Sequence, residues 1–347
     1  MGFQLANLVR ENVKGLKPYS SARDEYVSDG SEMVFLDANE NPFDNGVNRY
    51  PDPQQRSLKD VLAKQKGVLA DNILLGNGSD EVLDLLFRAF CEPKTDAIIT
   101  LPPTYGMYKV LAATNDVTNR EVLLNDSFEP DVAAILREAD SNTKLLFLCS
   151  PNNPTGNRFS ETAIQALLEG FNGLVVIDEA YIDFSSGESW VGKLEQFPNL
   201  VVTQTLSKAY GLAGIRLGIC IASTEVISVL NKIKPPYNVN ELTQKRALER
   251  TLGIADVRQE VAMILKERER LIMALKNHSV TTEVFHTDAN FVLARVDNAP
   301  QRYRQLLEQG VVVRNRSNQP LCNNTLRFTV GTAKENDRLL TALNNLT

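Results

Sequence analysis

Residues 144–181 read KLLFLCSPNNPTGNRFSETAIQALLEGFNGLVVIDEAY, and this stretch decides the fold class. The runs LLFLC and LVVI are apolar throughout, which is typical of strands buried on both faces of a sheet. Between them, ETAIQALLEG places its apolar residues at the spacing of a helix with one buried side. A strand, a helix and a second strand in this order predict a parallel sheet covered by helices.

The same alternation of strands and helices continues on both sides of that stretch. The segments that carry it are, in chain order, SLKDVLAKQKG, ILLG, SDEVLDLLFRAF, AIIT, TYGMYKVLAAT, VLL, DVAAILREA, NLVVTQTLS and IRLGICIAS. We therefore expect an α/β fold in which a mostly parallel central sheet, covered by helices, forms a large domain.

A second, smaller α/β unit is predicted at the carboxyl-terminal end of the chain. After KPPYN, at 234–238, the charged stretch 256–277 has apolar residues at helical spacing and is longer than an average helix. Strand and helix patterns then follow in NFVLARV, QRYRQLLEQG, VVVRN, LRFTV and KENDRLLTALNNL. We expect an N-terminal arm over 1–45, a large domain over 46–254, and a connector helix with a small domain over 255–347, against which the arm can pack.

Composition and charge narrow the function classes. The 347 residues are 43% hydrophobic and 23% charged, as in folded globular proteins. Lys and Arg number 37 against 43 Asp and Glu, so the formal net charge of −6 offers nucleic acid and anionic membranes no overall attraction. The opening residues lack the pattern of a secretion signal, and the four cysteines form no CxxC pair. We expect a cytoplasmic protein that binds neither nucleic acid nor membranes.

The two histidines, His278 and His286, give little basis for metal or hydrolase chemistry. Neither belongs to an HExxH pattern, and the chain has no GxSxG motif around a nucleophilic serine. We expect both histidines to be structural and no metal to be bound.

Two turns follow predicted strands, at the edge where open α/β sheets bind ligands. In GNGSDE, Gly78 opens a helix whose free N–H groups can bind a phosphate. A simple turn with Ser79 or Asp80 as the helix cap also explains this pattern. In SPNNPTG, at 150–156, two prolines fix a turn that projects Asn153, whose amide can donate to a ligand oxygen. An ordinary loop can have the same composition.

Two further motifs carry the charged groups. Asp178 closes the apolar strand LVVI, so its carboxylate either caps the next turn or needs a cationic partner such as a protonated ring nitrogen, which Tyr181 would also reach. In SKAYGLAGIRLG, Arg216 can hold a phosphate by two hydrogen bonds, and Lys208 can form a Schiff base when its amine is deprotonated. A solvated surface lysine fits poorly with the Leu, Ala, Gly and Ile around it.

In their order and spacing, SPNNPTG, DEAY and SKAYGLAGIRLG resemble the fold-type-I aminotransferases that use pyridoxal 5'-phosphate. The resemblance covers essentially the whole chain. Seven further segments, ANENP, RYPDPQ, FCEP, PPTYGMY, KPPYN, NFVLAR and LRFTVGT, favour a member that exchanges an amino group between L-histidinol phosphate and 2-oxoglutarate and so yields glutamate. The resemblance implies a homodimer whose site is shared between subunits.

The resemblance also implies residue roles. Lys208 carries the cofactor aldehyde and moves the proton, Asp178 pairs with the ring nitrogen, and Tyr181 is the third catalytic residue. Also expected at the cofactor are Gly78, Ser79, Asp80, Tyr105, Asn153, Ser207 and Arg216, with Tyr50 reaching it from the other subunit. Expected at the substrates are Arg327, Arg314, Tyr19 and Asn39. One departure is Asn315, where an acidic residue is expected in many relatives.

Other functions remain alternatives from the sequence alone. An aromatic amino-acid aminotransferase or a threonine-phosphate decarboxylase of the same fold would share all four cofactor motifs. A metabolite-sensing regulator would need an added DNA-binding segment, and a dinucleotide-dependent dehydrogenase would need a GxGxxG fingerprint. Neither pattern is found in the sequence.

Overall fold

A computed structural model describes residues 3–19 and 33–346. Within these ranges the strands are β1 (Ile73–Gly76), β2 (Ala97–Thr100), β3 (Thr118–Glu121), β4 (Thr143–Cys149), β5 (Leu174–Asp178), β6 (Leu200–Thr205), β7 (Gly218–Ala222), β8 (Thr281–Val284), β9 (Phe291–Val296), β10 (Arg314–Asn315) and β11 (Thr325–Thr329). The helices are α1 (Glu11–Lys14), α2 (Arg56–Lys66), α3 (Ser79–Phe90), α4 (Met107–Thr114), α5 (Val132–Glu138), α6 (Glu161–Gly170), α7 (Thr224–Asn231), α8 (Glu241–Leu252), α9 (Ile254–Lys276), α10 (Ala299–Glu308) and α11 (Ala333–Asn344).

The larger sheet has seven strands in the order β1-β7-β6-β5-β4-β2-β3. Strands β2 to β6 pair in parallel with their neighbours in that group, whereas β7 runs antiparallel to both β6 and β1. The prediction of a mostly parallel central sheet is therefore confirmed. Strands β4, β5 and β6 end side by side in the middle of the sheet, which brings the residues that follow them to one edge.

Apolar side chains fill both faces of this sheet. In β5, Val175 and Ile177 point into one core, whereas Leu174 and Val176 point into the core on the other face. All five residues of β5 are buried, in agreement with its uniformly apolar sequence up to Asp178. A central strand buried on both sides gives its terminal carboxylate a fixed position.

The smaller sheet is antiparallel, in the order β10-β11-β9-β8, and α9, α10 and α11 pack against it around a third core. The charged stretch 256–277 forms most of α9, as predicted. Helix α9 begins next to the proposed domain boundary at residue 254. The division into an arm, a large domain and a small domain stays a prediction, and residues 20–32 of the arm lie outside the described ranges.

The structure corrects three details of the predicted elements. Strand β8 was not expected, because its residues TTEV are polar and its burial is partial. The strand predicted at VLL, 122–124, lies instead just before it, at β3, whose sequence TNRE is exposed because β3 is an edge strand. The segment VVVRN contributes only the two residues of β10. Edge strands bury too little apolar surface to show the expected pattern.

Among the described residues, no helix combines the length and apolar character that crossing a membrane would require.

Candidate active site

A cleft opens at the carboxyl ends of β4, β5 and β6. Its lining includes all the predicted cofactor residues except Gly78 and Tyr50: Ser79, Asp80, Tyr105, Asn153, Asp178, Tyr181, Ser207, Lys208 and Arg216. Three more lining residues, Cys149, Ala180 and Thr205, were not predicted. Four motifs that are far apart in the sequence therefore meet in one cleft.

Asp178 forms the buried end of this cleft and is only 3% exposed. One carboxylate oxygen, Oδ2, accepts a hydrogen bond of 2.8 Å from the Tyr108 hydroxyl, and Oδ1 accepts one of 3.1 Å from the backbone N–H of Ala180. The turn-capping interpretation thus accounts for one oxygen only. Burial raises the pKa of Asp178, and no cation in the described part of the chain forms an ion pair with it. An ionised Asp178 therefore calls for a cationic ligand.

Tyr108, whose hydroxyl donates to Asp178, is not among the residues predicted for the site. It is fully buried on α4, and its ring stacks on Phe147 at a centroid distance of 4.8 Å. It also packs edge-to-face with Tyr105 at 5.5 Å. Burial raises its pKa well above the usual value, so the hydroxyl stays protonated and can donate. The three-residue spacing of the two tyrosines in TYGMY was the available signal, although Tyr105 precedes α4 and only Tyr108 lies in the helix.

Lys208 faces the same cleft, with its Nζ 5.6 Å from the centroid of the Tyr181 ring. Burial lowers the pKa of this lysine, and the positive charge of Arg327 lowers it further. Asn153 Nδ2 lies 3.4 Å from the Tyr181 hydroxyl, to which it donates. The cleft thus contains an amine that loses its proton more readily than a surface lysine, beside two neutral hydrogen-bonding groups.

Thr205 fixes the turn that carries Ser207 and Lys208. The Thr205 hydroxyl donates to the carbonyl of Leu217 at 3.1 Å and accepts from the backbone N–H of Ser207 at 3.1 Å. The turn is thereby tied to the start of β7.

Another wall of the cleft lies at the start of α3, where Ser79, Asp80 and Arg216 line it and Gly78 packs against Arg216; we call this group the cup. Gly78 precedes the helix with φ +84°, and a Cβ there would lie 2.6 Å from Arg216 Nη2. Only glycine therefore lets Arg216 lie against this turn. Neither Ser79 nor Asp80 caps the helix with its side chain, since the N-cap position belongs to Gly78. Instead, Asp80 Oδ2 lies 3.6 Å from Arg216 Nη2, and its Oδ1 accepts from the Tyr105 hydroxyl at 3.1 Å.

Arg327, on β11, reaches the cleft from the smaller sheet. Its Nη1 donates to Asn153 Oδ1, and its guanidinium lies 5.0 Å from the centroid of the Phe291 ring. Burial and the nearby charge of Arg316 lower the pKa of Arg327 to about 10. Arg314, on β10, is exposed and pairs directly opposite Arg327 in the sheet. Both predicted substrate arginines therefore lie on one strand pair beside the cleft.

Three predicted residues lie away from the cleft. Tyr50 stacks on Tyr237 at 4.5 Å and, with Asn39, lines a separate groove of about 430 Å³ between residues 38–51 and the start of α8. Tyr19 is 74% exposed. A single chain does not bring these three residues to the other site residues.

The architecture and the cleft define a class of protein, the fold-type-I aminotransferases. Residues 31–343 match the model of the family described as aminotransferase class I and II. The chain is also similar to the solved structure of the histidinol-phosphate aminotransferase from Clostridium acetobutylicum, with a TM-score of 0.80 and 26% identity over 86% of this chain and 92% of that chain. Similarity to the L-threonine-O-3-phosphate decarboxylase from Porphyromonas gingivalis is nearly as high, with a TM-score of 0.73 and 25% identity over 86% and 90%.

Sequence identity separates these two possibilities better than the fold does. The chain is 64% identical to the histidinol-phosphate aminotransferase of Flavobacterium johnsoniae over 335 residues, which are 96% of each protein. The chain therefore belongs to the histidinol-phosphate aminotransferase family within the class I and II aminotransferases. The predictions of the family and of the fold class are confirmed.

Proposed function

We propose that the protein interconverts L-histidinol phosphate plus 2-oxoglutarate and imidazole-acetol phosphate plus L-glutamate, as a step of histidine biosynthesis. The observation that carries the proposal is the 64% identity to the histidinol-phosphate aminotransferase of Flavobacterium johnsoniae over 96% of the chain. The cleft supplies the groups that such a transfer needs.

The cleft fits pyridoxal 5'-phosphate on three observations. Asp178 is a buried carboxylate that lacks a cationic partner among the described residues, which suits a protonated ring nitrogen. The cup at Gly78 and Arg216 suits a phosphate, and Lys208 offers an amine with a lowered pKa. When bound, the cofactor supplies an aldehyde and a cationic ring that withdraws electrons from the substrate α-carbon.

The residues of the chain divide the binding work. Asp178 would hold the ring nitrogen, Tyr105 would pack against the ring, and Tyr181 and Asn153 would contact the ring hydroxyl. At the phosphate we place Gly78, Ser79, Asp80, Ser207 and Arg216. Asp80 contributes its backbone N–H and orients Arg216 through its carboxylate, because a carboxylate facing the phosphate directly would repel it.

Lys208 is the residue that moves the proton. Because burial lowers its pKa, its amine can accept the proton that leaves the α-carbon of the amino donor. The same amine returns a proton in the second half of the exchange, when the keto acceptor becomes an amino acid. A lysine whose pKa is lowered from its usual value can take part in proton transfer in both directions.

Arg327 and Arg314 hold the distal anion of the substrate. The phosphate of histidinol phosphate and the side-chain carboxylate of glutamate both match the planar fork of a guanidinium. One arginine pair can thus serve both substrates in turn. The resemblance also assigns Tyr19 and Asn39 to closing this pocket, although within one chain both lie outside the cleft.

We further propose a homodimer in which Tyr50 contacts the cofactor phosphate of the partner subunit. Two observations support it. Tyr50 lies outside the cleft of its own chain, and residues 34–43 carry apolar side chains that one chain leaves exposed: Val34 at 80%, Leu36 at 86% and Phe43 at 80%. A second chain would bury such a surface. Sedimentation at low concentration tests this, and a fully active monomer would contradict it.

The cytoplasm is the proposed location. All four cysteines, Cys91, Cys149, Cys220 and Cys322, are unpaired and buried, which suits a reducing compartment.

An amino-donor screen on the protein reconstituted with cofactor tests the function. We expect turnover of histidinol phosphate with 2-oxoglutarate to exceed turnover of phenylalanine, and no release of CO2 from threonine phosphate. Faster turnover of phenylalanine, or decarboxylation of threonine phosphate, would replace this function with one of the two alternatives of the same fold.

A further inference from the structure

Three arginines share one face of the smaller sheet beside the cleft. Arg314 pairs opposite Arg327, and two residues later the backbone N–H of Arg316 donates to the carbonyl of Thr325 at 3.0 Å. Because alternate residues of paired strands point to the same side, Arg316 shares the side of Arg314 and Arg327. Leu326, on the opposite side, is part of the third core.

Within the described part of the chain, no carboxylate balances these three positive charges. None of them forms an ion pair with any residue in ranges 3–19 and 33–346. The residue between the two arginines of VRNR is the neutral Asn315, whose Oδ1 accepts from the backbone N–H of Ser317. The Nε atoms of Arg316 and Arg327 are both buried and have no hydrogen-bond partner in this part of the chain. Buried donors left in this state favour a bound anion.

Arg316 also acts on the cleft electrostatically. Its charge lowers the pKa of Arg327. Burial raises the pKa of Tyr181, and the charges of Arg316 and Arg327 both oppose that rise. Burial, and then repulsion by Arg314, lowers the pKa of Arg316 itself. The three guanidiniums are thus close enough to repel one another while they face the same space.

We propose that Arg316 is a third cation of the substrate-anion site and that it favours a phosphate monoester over a carboxylate. A phosphate monoester carries nearly two negative charges and three acceptor oxygens, whereas a carboxylate carries one charge and two oxygens. Arg327 with Arg314 suffices for the carboxylate. The added guanidinium therefore stabilises the phosphorylated substrate more than glutamate. This inference rests on the proposed function.

Steady-state kinetics of the holoenzyme with Arg316→Gln tests the inference. We expect KM for histidinol phosphate to rise about 10- to 100-fold, the range for one charge-assisted hydrogen bond, while KM for glutamate changes less than about threefold. Inhibition of the holoenzyme by inorganic phosphate should weaken in parallel. Arg316→Lys keeps the charge but loses the planar fork, so its KM for histidinol phosphate should lie between the values of Arg316→Gln and the unmodified enzyme.

Arg304→Gln is the matched control, since Arg304 is an exposed arginine on α10 and the substitution removes the same charge. It should leave both KM values unchanged. The melting temperature separates binding from folding: Arg316→Gln should not lower it, because the substitution removes an unpaired, repelled charge. A lowered melting temperature with proportional loss of both substrates would overturn the inference in favour of a structural role.

The outcomes separate this inference from the proposed function. If the unmodified enzyme does not use histidinol phosphate, the proposed function fails. If it does, but Arg316→Gln leaves the ratio of the two KM values as in Arg304→Gln, only the role of Arg316 is refuted.

Discussion

The two sides of the cleft at which we propose that anions bind are built in opposite ways. In the cup at the start of α3, Arg216 lies beside Asp80, and the close approach at Gly78 leaves no room for a side chain. On the arginine face of the smaller sheet, three guanidiniums lie together, and the polar side-chain contact they make to the cleft is that of Arg327 with Asn153. A balanced and tightly packed cup suits a phosphate that stays bound. An unbalanced face attracts the anionic substrates through its uncompensated positive charge.

The largest expected effect comes from removing the amine that lies between the two sides. Lys208→Ala should still bind cofactor, because both sides are intact, but should lose turnover by at least about 10²- to 10⁴-fold through loss of proton transfer alone. The measurement is kcat with histidinol phosphate beside cofactor binding by equilibrium dialysis. Loss of cofactor binding with turnover retained in the bound fraction would show that Lys208 belongs to the cup instead.

Truncation on the arginine face should affect substrates and spare the cofactor. Arg327→Ala should reduce kcat/KM for histidinol phosphate and for glutamate together, each by about 100-fold, since both lose a charge-assisted fork. Unphosphorylated histidinol, which has no distal anion, should already be a poor substrate and should change little. Equal turnover of histidinol and its phosphate by the unmodified enzyme would refute selection by anion charge.

A substitution in the cup should instead weaken cofactor binding and spare substrate binding. Gly78→Ala places a Cβ 2.6 Å from Arg216 Nη2 at a φ of +84°, so cofactor Kd should rise at least about tenfold, with stability lowered by roughly 1–3 kcal/mol. Gly214→Ala is the control, because no atom lies within 4 Å of its added Cβ. Titration of the apo forms of both variants with cofactor measures Kd, and thermal unfolding of the same apo forms measures stability. An unchanged Kd in Gly78→Ala would mean that the cup is not the phosphate site.

The smallest effect concerns the contact behind Asp178. Tyr108→Phe keeps the packing but removes the donor to Asp178, a bond worth ~1.5–3 kcal/mol when the acceptor is charged. The folded pKa of Asp178 lies above its unfolded value, so the folded apo protein becomes less stable as pH rises through the interval between the two. Without the Tyr108 hydroxyl, the folded pKa of Asp178 rises further. The interval between its unfolded and folded pKa values then extends to higher pH.

The melting temperature of the apo protein measures this effect. The deficit of Tyr108→Phe relative to the unmodified protein should grow as the pH rises through the raised folded pKa of Asp178. Tyr303→Phe, which removes a hydroxyl on α10, serves as the control and should show no such trend. A deficit that does not change with pH would reduce Tyr108 to a packing residue.

The sequence predicted the parts of the cleft that follow strongly apolar strands. Asp178, Asn153 and Lys208 could be placed at one sheet edge because β4, β5 and β6 are buried and easily recognised. The resemblance to a known superfamily then assigned their roles.

The missed features depend on tertiary contacts. Tyr108 and Asp178 are 70 positions apart in the sequence. They meet only because α4 packs on the core face beside Phe147. The position of Arg316, whose buried Nε lacks a hydrogen-bond partner among the described residues, follows from the register of β10 on β11, which the short strand VVVRN did not reveal. The polar edge strands β3 and β8 carry too weak a pattern to be placed from sequence.

The central claim is that the cleft binds pyridoxal 5'-phosphate and that Lys208 is its covalent attachment point. Reconstituting the protein, reducing it with borohydride and mapping the labelled peptide tests this most directly. Lys59 is the sharpest competitor, because burial and the charge of Lys234 lower its pKa to about 8, although it lies on α2 outside the cleft. We predict stoichiometric label on Lys208 and none on Lys59. Label on Lys59 or another lysine, or no label after reconstitution, would contradict the account.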